Sequence, residues 1–263
     1  MQLSVNGANI FAGTGGRDFD AALPAIVFLH GGGCDHTVWA LLARWFAHRG
    51  FAVLAPDLPG HGRSGGEPLG SIAAMADWTA ALIDASGVGK AALVGHSMGA
   101  LIALETAARH PSKVPALALI GTAAAMPVSR DLLAAAEAND HAAIDMVSTW
   151  GNGFAAGLGG ALVPGAWMVG GTMRLLERAR PGVLFKDLFA CNAYEDGLTS
   201  AAKVTAPAIL VLGERDMMTP LKGGLKLAAT LSKARAVTLK GAGHMLMSER
   251  PDDVLAAIKD FAA

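Results

Sequence analysis

The chain has 263 residues, 52% apolar and 16% charged, with 33 glycines and a formal net charge of −1. That is material for one generous domain or a domain carrying an insertion, and it excludes a disordered chain. No block of like charge marks a nucleic-acid or anionic-membrane surface, and two distant cysteines, Cys34 and Cys191, speak against a disulfide scaffold or a thiolate zinc site and fit a reducing cytoplasm.

Met1 to Phe11 lacks a basic head followed by an apolar run, so no secretory signal is expected there; Leu3 to Phe11 reads as one or two short antiparallel strands. Short apolar runs without alternation then recur at Ala25–Leu29, Ala52–Ala55, Ala91–Val94, Ala116–Ile120, Ala208–Leu212 and Ala236–Leu239. Strands covered on both faces read this way. Helical patterns fall between them at Val38–Arg49, Ile72–Ser86, Met98–His110 and Leu221–Leu231, with a last helix over Asp252–Phe261 behind Pro251. Strand and helix in alternation predict an α/β fold with right-handed crossovers.

After Gly121 the next good strand begins only at Ala208. Helix-like pieces fill the gap at Arg130–Ala138, His141–Trp150, Thr172–Ala179 and Leu184–Ala193. Residues 122–203 are therefore expected to form an insertion over one end of the sheet, with 1–121 and 204–263 as the core. Met146 to Met173 contains no Asp, Glu, Lys or Arg, long enough for a membrane span. Its glycines, Asn152 and Pro164 favour an apolar lid instead, and no span is expected.

Gly95-His96-Ser97-Met98-Gly99 is a G-x-S-x-G pattern between an apolar strand and a helix. A serine on that sharp turn projects its hydroxyl from the sheet edge, and the flanking glycines make room for the backbone. A hydroxyl is a poor nucleophile without a base, and the base needs an orienting acid. Downstream, Asp216 ends the strand Ile209–Gly213, and His244 sits in the glycine-rich loop after Val237–Leu239. The order Ser97, Asp216, His244 suits a nucleophile elbow. Glu214 competes for the acid role with a shorter reach. His96 is expected to point away from Ser97, and His36 stays open as a second participant. The tetrahedral oxyanion needs two backbone donors. Met98 supplies one, and Gly32, with Gly33 beside it, the other. His30 is expected to hold this loop by hydrogen bonds, and Asp57 to fix the Asp57–Ser64 bend with Arg63 or His61. No dinucleotide fingerprint and no metal-spaced cluster appears, so no cofactor and no metal are expected.

His30-Gly31-Gly32-Gly33, Pro56-Asp57-Leu58-Pro59-Gly60-His61-Gly62-Arg63-Ser64, Gly95-His96-Ser97-Met98-Gly99, Gly213-Glu214-Arg215-Asp216 with Pro220, and Gly243-His244 together resemble the α/β-hydrolase superfamily. The likeness runs in order from about residue 20 to the end. It implies a mostly parallel eight-stranded sheet flanked by helices, a helical cap over 122–203, a Ser97–His244–Asp216 triad, and Met98 and Gly32 as oxyanion donors. It also implies a serine hydrolase of small to medium carboxylic esters, working through an acyl-enzyme. The same triad serves C–C bond hydrolases, aminopeptidases, thioesterases and perhydrolases, and a slow-turnover ligand receptor is the rival outside catalysis. Methionines crowd the site loops, so an apolar, adaptable pocket is expected, with Gly33, Trp150, Met217, Met245 and Tyr194 lining it. Trp167, Phe154, Phe185 and Phe189 are further candidates, and Arg174, Arg178 and Arg180 read as a solvated helix face. The expected partner is a small acyl substrate in the cytoplasm. The oligomeric state is not legible.

Overall fold

The computed structural model describes residues 1–158, 162 and 165–262. Eight strands form one sheet: β1 (Gln2–Val5), β2 (Ala8–Gly13), β3 (Ala25–Leu29), β4 (Ala52–Pro56), β5 (Ala92–His96), β6 (Leu117–Ile120), β7 (Ala208–Gly213) and β8 (Ala234–Leu239). Their order across the sheet is β1-β2-β4-β3-β5-β6-β7-β8. β1 pairs β2 and β2 pairs β4 antiparallel; from β4 to β8 every pairing is parallel. β3 to β7 are buried along their whole length, which is why their sequences carry no polar alternation. The expected mostly parallel eight-stranded α/β architecture is what the chain adopts.

Helices α1 (Ala40–Ala47), α2 (Ile72–Ser86) and α3 (Met98–Arg109) connect the first four parallel strands, β3 to β6, and α10 (Leu221–Thr230) links β7 to β8. α2 shows why such segments begin and end where they do. Ser71 accepts the Ala74 N–H at its start, and Gly87 closes it at φ +81. Two apolar clusters cover the two sheet faces, one centred on α2 and α3, the other on α1 and α12 (Pro251–Ile258).

Between β6 and β7 lie α4 (Arg130–Glu137), α5 (His141–Trp150), α6 (Phe154–Gly157), α7 (Met168–Leu176), α8 (Val183–Asn192) and α9 (Gly197–Lys203). Leu132, Ala136, Ala143, Val147, Leu176 and Leu188 give this segment an apolar cluster of its own. α9 instead packs on α3 and α10. The uncharged stretch is divided among α5, α6 and α7. Part of the lid expected there, including Pro164 and glycines 159 and 160, lies outside the described residues. Among the described residues no helix is long and apolar enough to cross a membrane.

β5 runs straight into α3, and this junction sets the site. A Cβ on Gly95 would stand 2.1 Å from the Gly99 carbonyl oxygen, and one on Gly99 would stand 2.1 Å from the Leu29 oxygen. Only glycine lets the three backbones close to this distance.

Candidate active site

Ser97 occupies the turn between β5 and α3 at φ 53 and ψ −120. Such a backbone is unfavourable for any residue with a Cβ and persists only where packing enforces it. Here the Ser97 N–H is bonded to the Ile120 carbonyl, and its own carbonyl accepts the Ala100 and Leu101 N–H groups. Ser97 opens onto a cavity of about 220 Å³ between the C-terminal ends of the parallel strands and the helices that lie between β6 and β7, lined also by His244, Gly32 and Met98.

His244 and Asp216 meet as expected. His244 Nδ1 lies 2.8 Å from Asp216 Oδ2, with both side chains almost fully buried. Asp216 Oδ2 also accepts the Thr219 hydroxyl at 2.7 Å, while Oδ1 accepts the Met218 and Thr219 N–H groups. Burial opposes the Asp216 charge, but the adjacent His244 and these donors prevail and hold the carboxyl below its ordinary value. With Nδ1–H committed to a carboxylate, Nε2 keeps its lone pair. Among the described residues no hydrogen bond joins the Ser97 hydroxyl to this ring; such contacts tighten when substrate binds. Glu214, the competing acid, braces the Gly241 N–H at the surface.

Gly32 and Met98 both line this cavity. Among the described residues neither the Gly32 N–H nor the Met98 N–H has a hydrogen-bond partner. The Gly33 N–H is different: it donates to Asp187 Oδ2 at 2.7 Å, so Gly33 is not a donor to the cavity and does not line it. Trp150, Met217 and Met245 do line it. Tyr194 does not. Its hydroxyl donates to Glu105 of α3, a buried carboxylate shared with Ser200. Phe154, Trp167 and Phe189 are exposed.

The remaining histidines sort by their partners. His30 holds the loop, contacting the Gly31 carbonyl through Nδ1 and accepting the Leu58 N–H at Nε2; burial depresses its pKa to about 4. Asp57 fixes its bend through the Arg63 N–H and His36, so His36 is engaged away from the cavity. His96 departs from expectation. Instead of pointing away, it lines the cavity, with Nε2 on the His244 carbonyl at 2.9 Å and the two rings 4.7 Å apart. Burial lowers its pKa to about 3, so it stays neutral and supports the His244 backbone. Cys34 lines the cavity with its thiol pushed up to about 12 by burial, which leaves it protonated. Arg174 is exposed and pairs with Glu177 of its own turn, as a solvated face would, whereas Arg178 reaches Asp35 and Arg180 the Ser64 carbonyl, both tying this segment to the core.

Like Glu105, the buried carboxylates Asp187 and Glu249 went unread in the sequence. Each bonds to backbone far away in the chain, so no local spacing announces it. Glu249, in α11 (Leu246–Glu249), accepts the Gly153 and Gly243 N–H groups through Oε2, joining the insertion to the His244 loop. Burial pushes its carboxyl up despite those bonds. A carboxyl raised on folding opposes the fold once ionised: the cost is absent below the unfolded pKa and grows as pH rises through the folded one. Glu249→Gln keeps an acceptor and cannot ionise. Its Tm relative to wild type is expected to climb as pH rises above the ordinary carboxylate range; a flat or falling difference in thermal melts would contradict this.

The sequence profile of the Alpha/beta hydrolase family matches residues 26–258. The chain is 33% identical over 261 residues to a pimeloyl-[acyl-carrier protein] methyl ester esterase of Chromobacterium violaceum, covering 96% of this chain and 97% of that one. It is 32% identical to the esterase of the same name from Aromatoleum aromaticum, covering 90% and 97%. Among solved structures, the enol-lactonase from Burkholderia xenovorans LB400 superposes with a TM-score of 0.87 at 24% identity, covering 99% of both chains, a likeness of fold. The chain belongs to the alpha/beta hydrolase family.

Proposed function

We propose that this chain is a serine hydrolase of neutral carboxylic esters with an apolar acyl chain. One observation carries the reading: a strained Ser97, an Asp216-bonded His244 and two unclaimed amides share a single cavity. Ser97 Oγ attacks the ester carbonyl while His244 Nε2 takes its proton. Asp216 keeps the imidazole in the Nδ1–H tautomer and stabilises the imidazolium. The Gly32 and Met98 N–H groups receive the oxyanion. His244 then protonates the departing alcohol, and a water deprotonated by the same ring releases the acid from the acyl-enzyme. In this reading residues 122–203 are the cap that closes the cavity over the core of 1–121 and 204–263.

The cavity wall supports a neutral substrate. Among the described residues no Asp, Glu, Lys or Arg lines it. A free carboxylate would enter without a counter-charge, which is costly. The product acid is itself an anion and is disfavoured where the ester was welcome. The curated relatives named above act, by name, on a methyl ester of a carrier-bound acyl group, which supports a methyl ester at the tip of an extended chain.

A fluorophosphonate is expected to label wild type at Ser97 and to leave Ser97→Ala unlabelled. Dimethyl pimelate is expected to be cleaved with kcat/KM at least about tenfold above monomethyl pimelate, since an uncompensated charge costs over about 1.4 kcal/mol. Equal labelling of the variant, or a preference for amide, thioester or diketone substrates over both esters, would overturn the reading.

A further inference from the structure

Asp187 stands on the buried face of α8, where it meets the core rather than its own helix. Its Oδ2 accepts the Gly33 N–H at 2.7 Å and faces His61 Nε2 at 2.8 Å. Oδ1 is buried and without a partner among the described residues. The Asp187 Cβ is what a side chain on Gly32 would strike, at 3.2 Å. A carboxylate of the insertion therefore sits directly against the two residues that present the free Gly32 amide.

The protonation state of His61 follows from its neighbours. Nδ1 lies 2.9 Å from the Pro59 carbonyl oxygen and Nε2 lies 2.8 Å from the Asp187 carboxylate. Both partners are acceptors. A neutral imidazole carries one N–H, so one contact would set two lone pairs against each other. Against an ionised Asp187, only the imidazolium satisfies both. His30, with ring centroids 4.9 Å away, is the contrast: one of its partners is a carbonyl and the other an N–H, which a neutral ring satisfies. The His61 and Asp187 side chains are 1% and 0% exposed, so the charges compensate each other out of water. The nearby Asp57 carboxylate also favours the charged ring.

We propose that Asp187, paired with the His61 imidazolium, is a positioning residue for the oxyanion site: by holding the Gly33 amide it fixes the Gly32–Gly33 peptide and aims the Gly32 N–H at the reacting carbonyl. The position of α8 is thereby coupled to transition-state stabilisation. The kinetic arm of the test rests on the ester-hydrolase reading.

Asp187→Leu removes the acceptor and the charge while keeping the branched shape; Asp187→Asn keeps an acceptor for Gly33 and removes only the charge. Rates are taken per active site, counted by fluorophosphonate at end point. The Leu variant is expected to lose kcat by about 100-fold with KM unchanged within about twofold, the loss expected for a misplaced oxyanion donor. A trifluoromethyl ketone, to whose carbonyl Ser97 Oγ adds while His244 takes the proton, forms a hemiketal whose oxyanion uses the same donors, and it is expected to bind weaker by the same factor. The Asn variant is expected to recover kcat to within about tenfold of wild type. A role in stability alone would lower the number of active sites and the Tm while leaving kcat per site intact, and that result would overturn the proposal. Imidazole ¹⁵N spectra supply an arm independent of turnover and of the Leu variant's folding. Wild-type His61 is expected to carry protons on both nitrogens at neutral pH and Asp187→Asn on one. A singly protonated wild-type ring would overturn the pair. An inactive wild type with a doubly protonated His61 would fault the hydrolase reading and leave the pair standing.

Discussion

Replacing Ser97 by glycine is expected to abolish ester turnover, by about 10⁶-fold in kcat, while making the protein more stable than Ser97→Ala. Both variants lack the hydroxyl, so both lose the acyl-enzyme route. They differ in the backbone. At φ 53 and ψ −120 a Cβ crowds the chain, and alanine suffers there as serine does. Strain at such a position is worth about 1–3 kcal/mol, and glycine gives back about 0.5–1 kcal/mol through its freer unfolded chain. The net expectation is about 1 kcal/mol in favour of glycine, a Tm higher by about 2–4 °C for a chain of this size. Equal melting of the two variants would mean that the turn is relaxed. The measured difference is the stability given up to thrust one hydroxyl into the cavity.

The same turn explains why so much was legible beforehand. Gly95, Ser97 and Gly99 obey a local steric rule, and the strands β3 to β7 obey another, since burial on both faces leaves no polar alternation. Asp216 and His244 were legible because each follows directly on an apolar strand, at the sheet end where such folds place their sites. What stayed hidden was set by the packing of the insertion on the core. Tyr194 belongs to Glu105 of α3, and Gly33 is claimed by Asp187 from 154 residues away. His96 turned toward His244 because the loop after β8 offers its Nε2 a carbonyl. Helices α6, α9 and α11 are short and take their stability from tertiary contacts, so their sequences carried little pattern of their own.

Asp216→Asn is expected to lower kcat by about 10⁴-fold with little change in KM. The reason lies in how the carboxylate is used. Oδ1 accepts two backbone N–H groups, from Met218 and Thr219. An asparagine must place its carbonyl oxygen there, because its NH₂ cannot accept. The NH₂ then falls where Oδ2 stood, facing His244 Nδ1. That nitrogen can no longer donate and must become the acceptor, so the ring proton moves to Nε2. The lone pair that was to take the Ser97 proton disappears, although the geometry is kept. Fluorophosphonate labelling is expected to slow by a similar factor, since it needs the same proton transfer, while thermal melting shifts little. A variant within about tenfold of wild type would show that His244 keeps its working tautomer without Asp216. In that case the carboxylate would serve the Met217–Thr219 turn more than the chemistry.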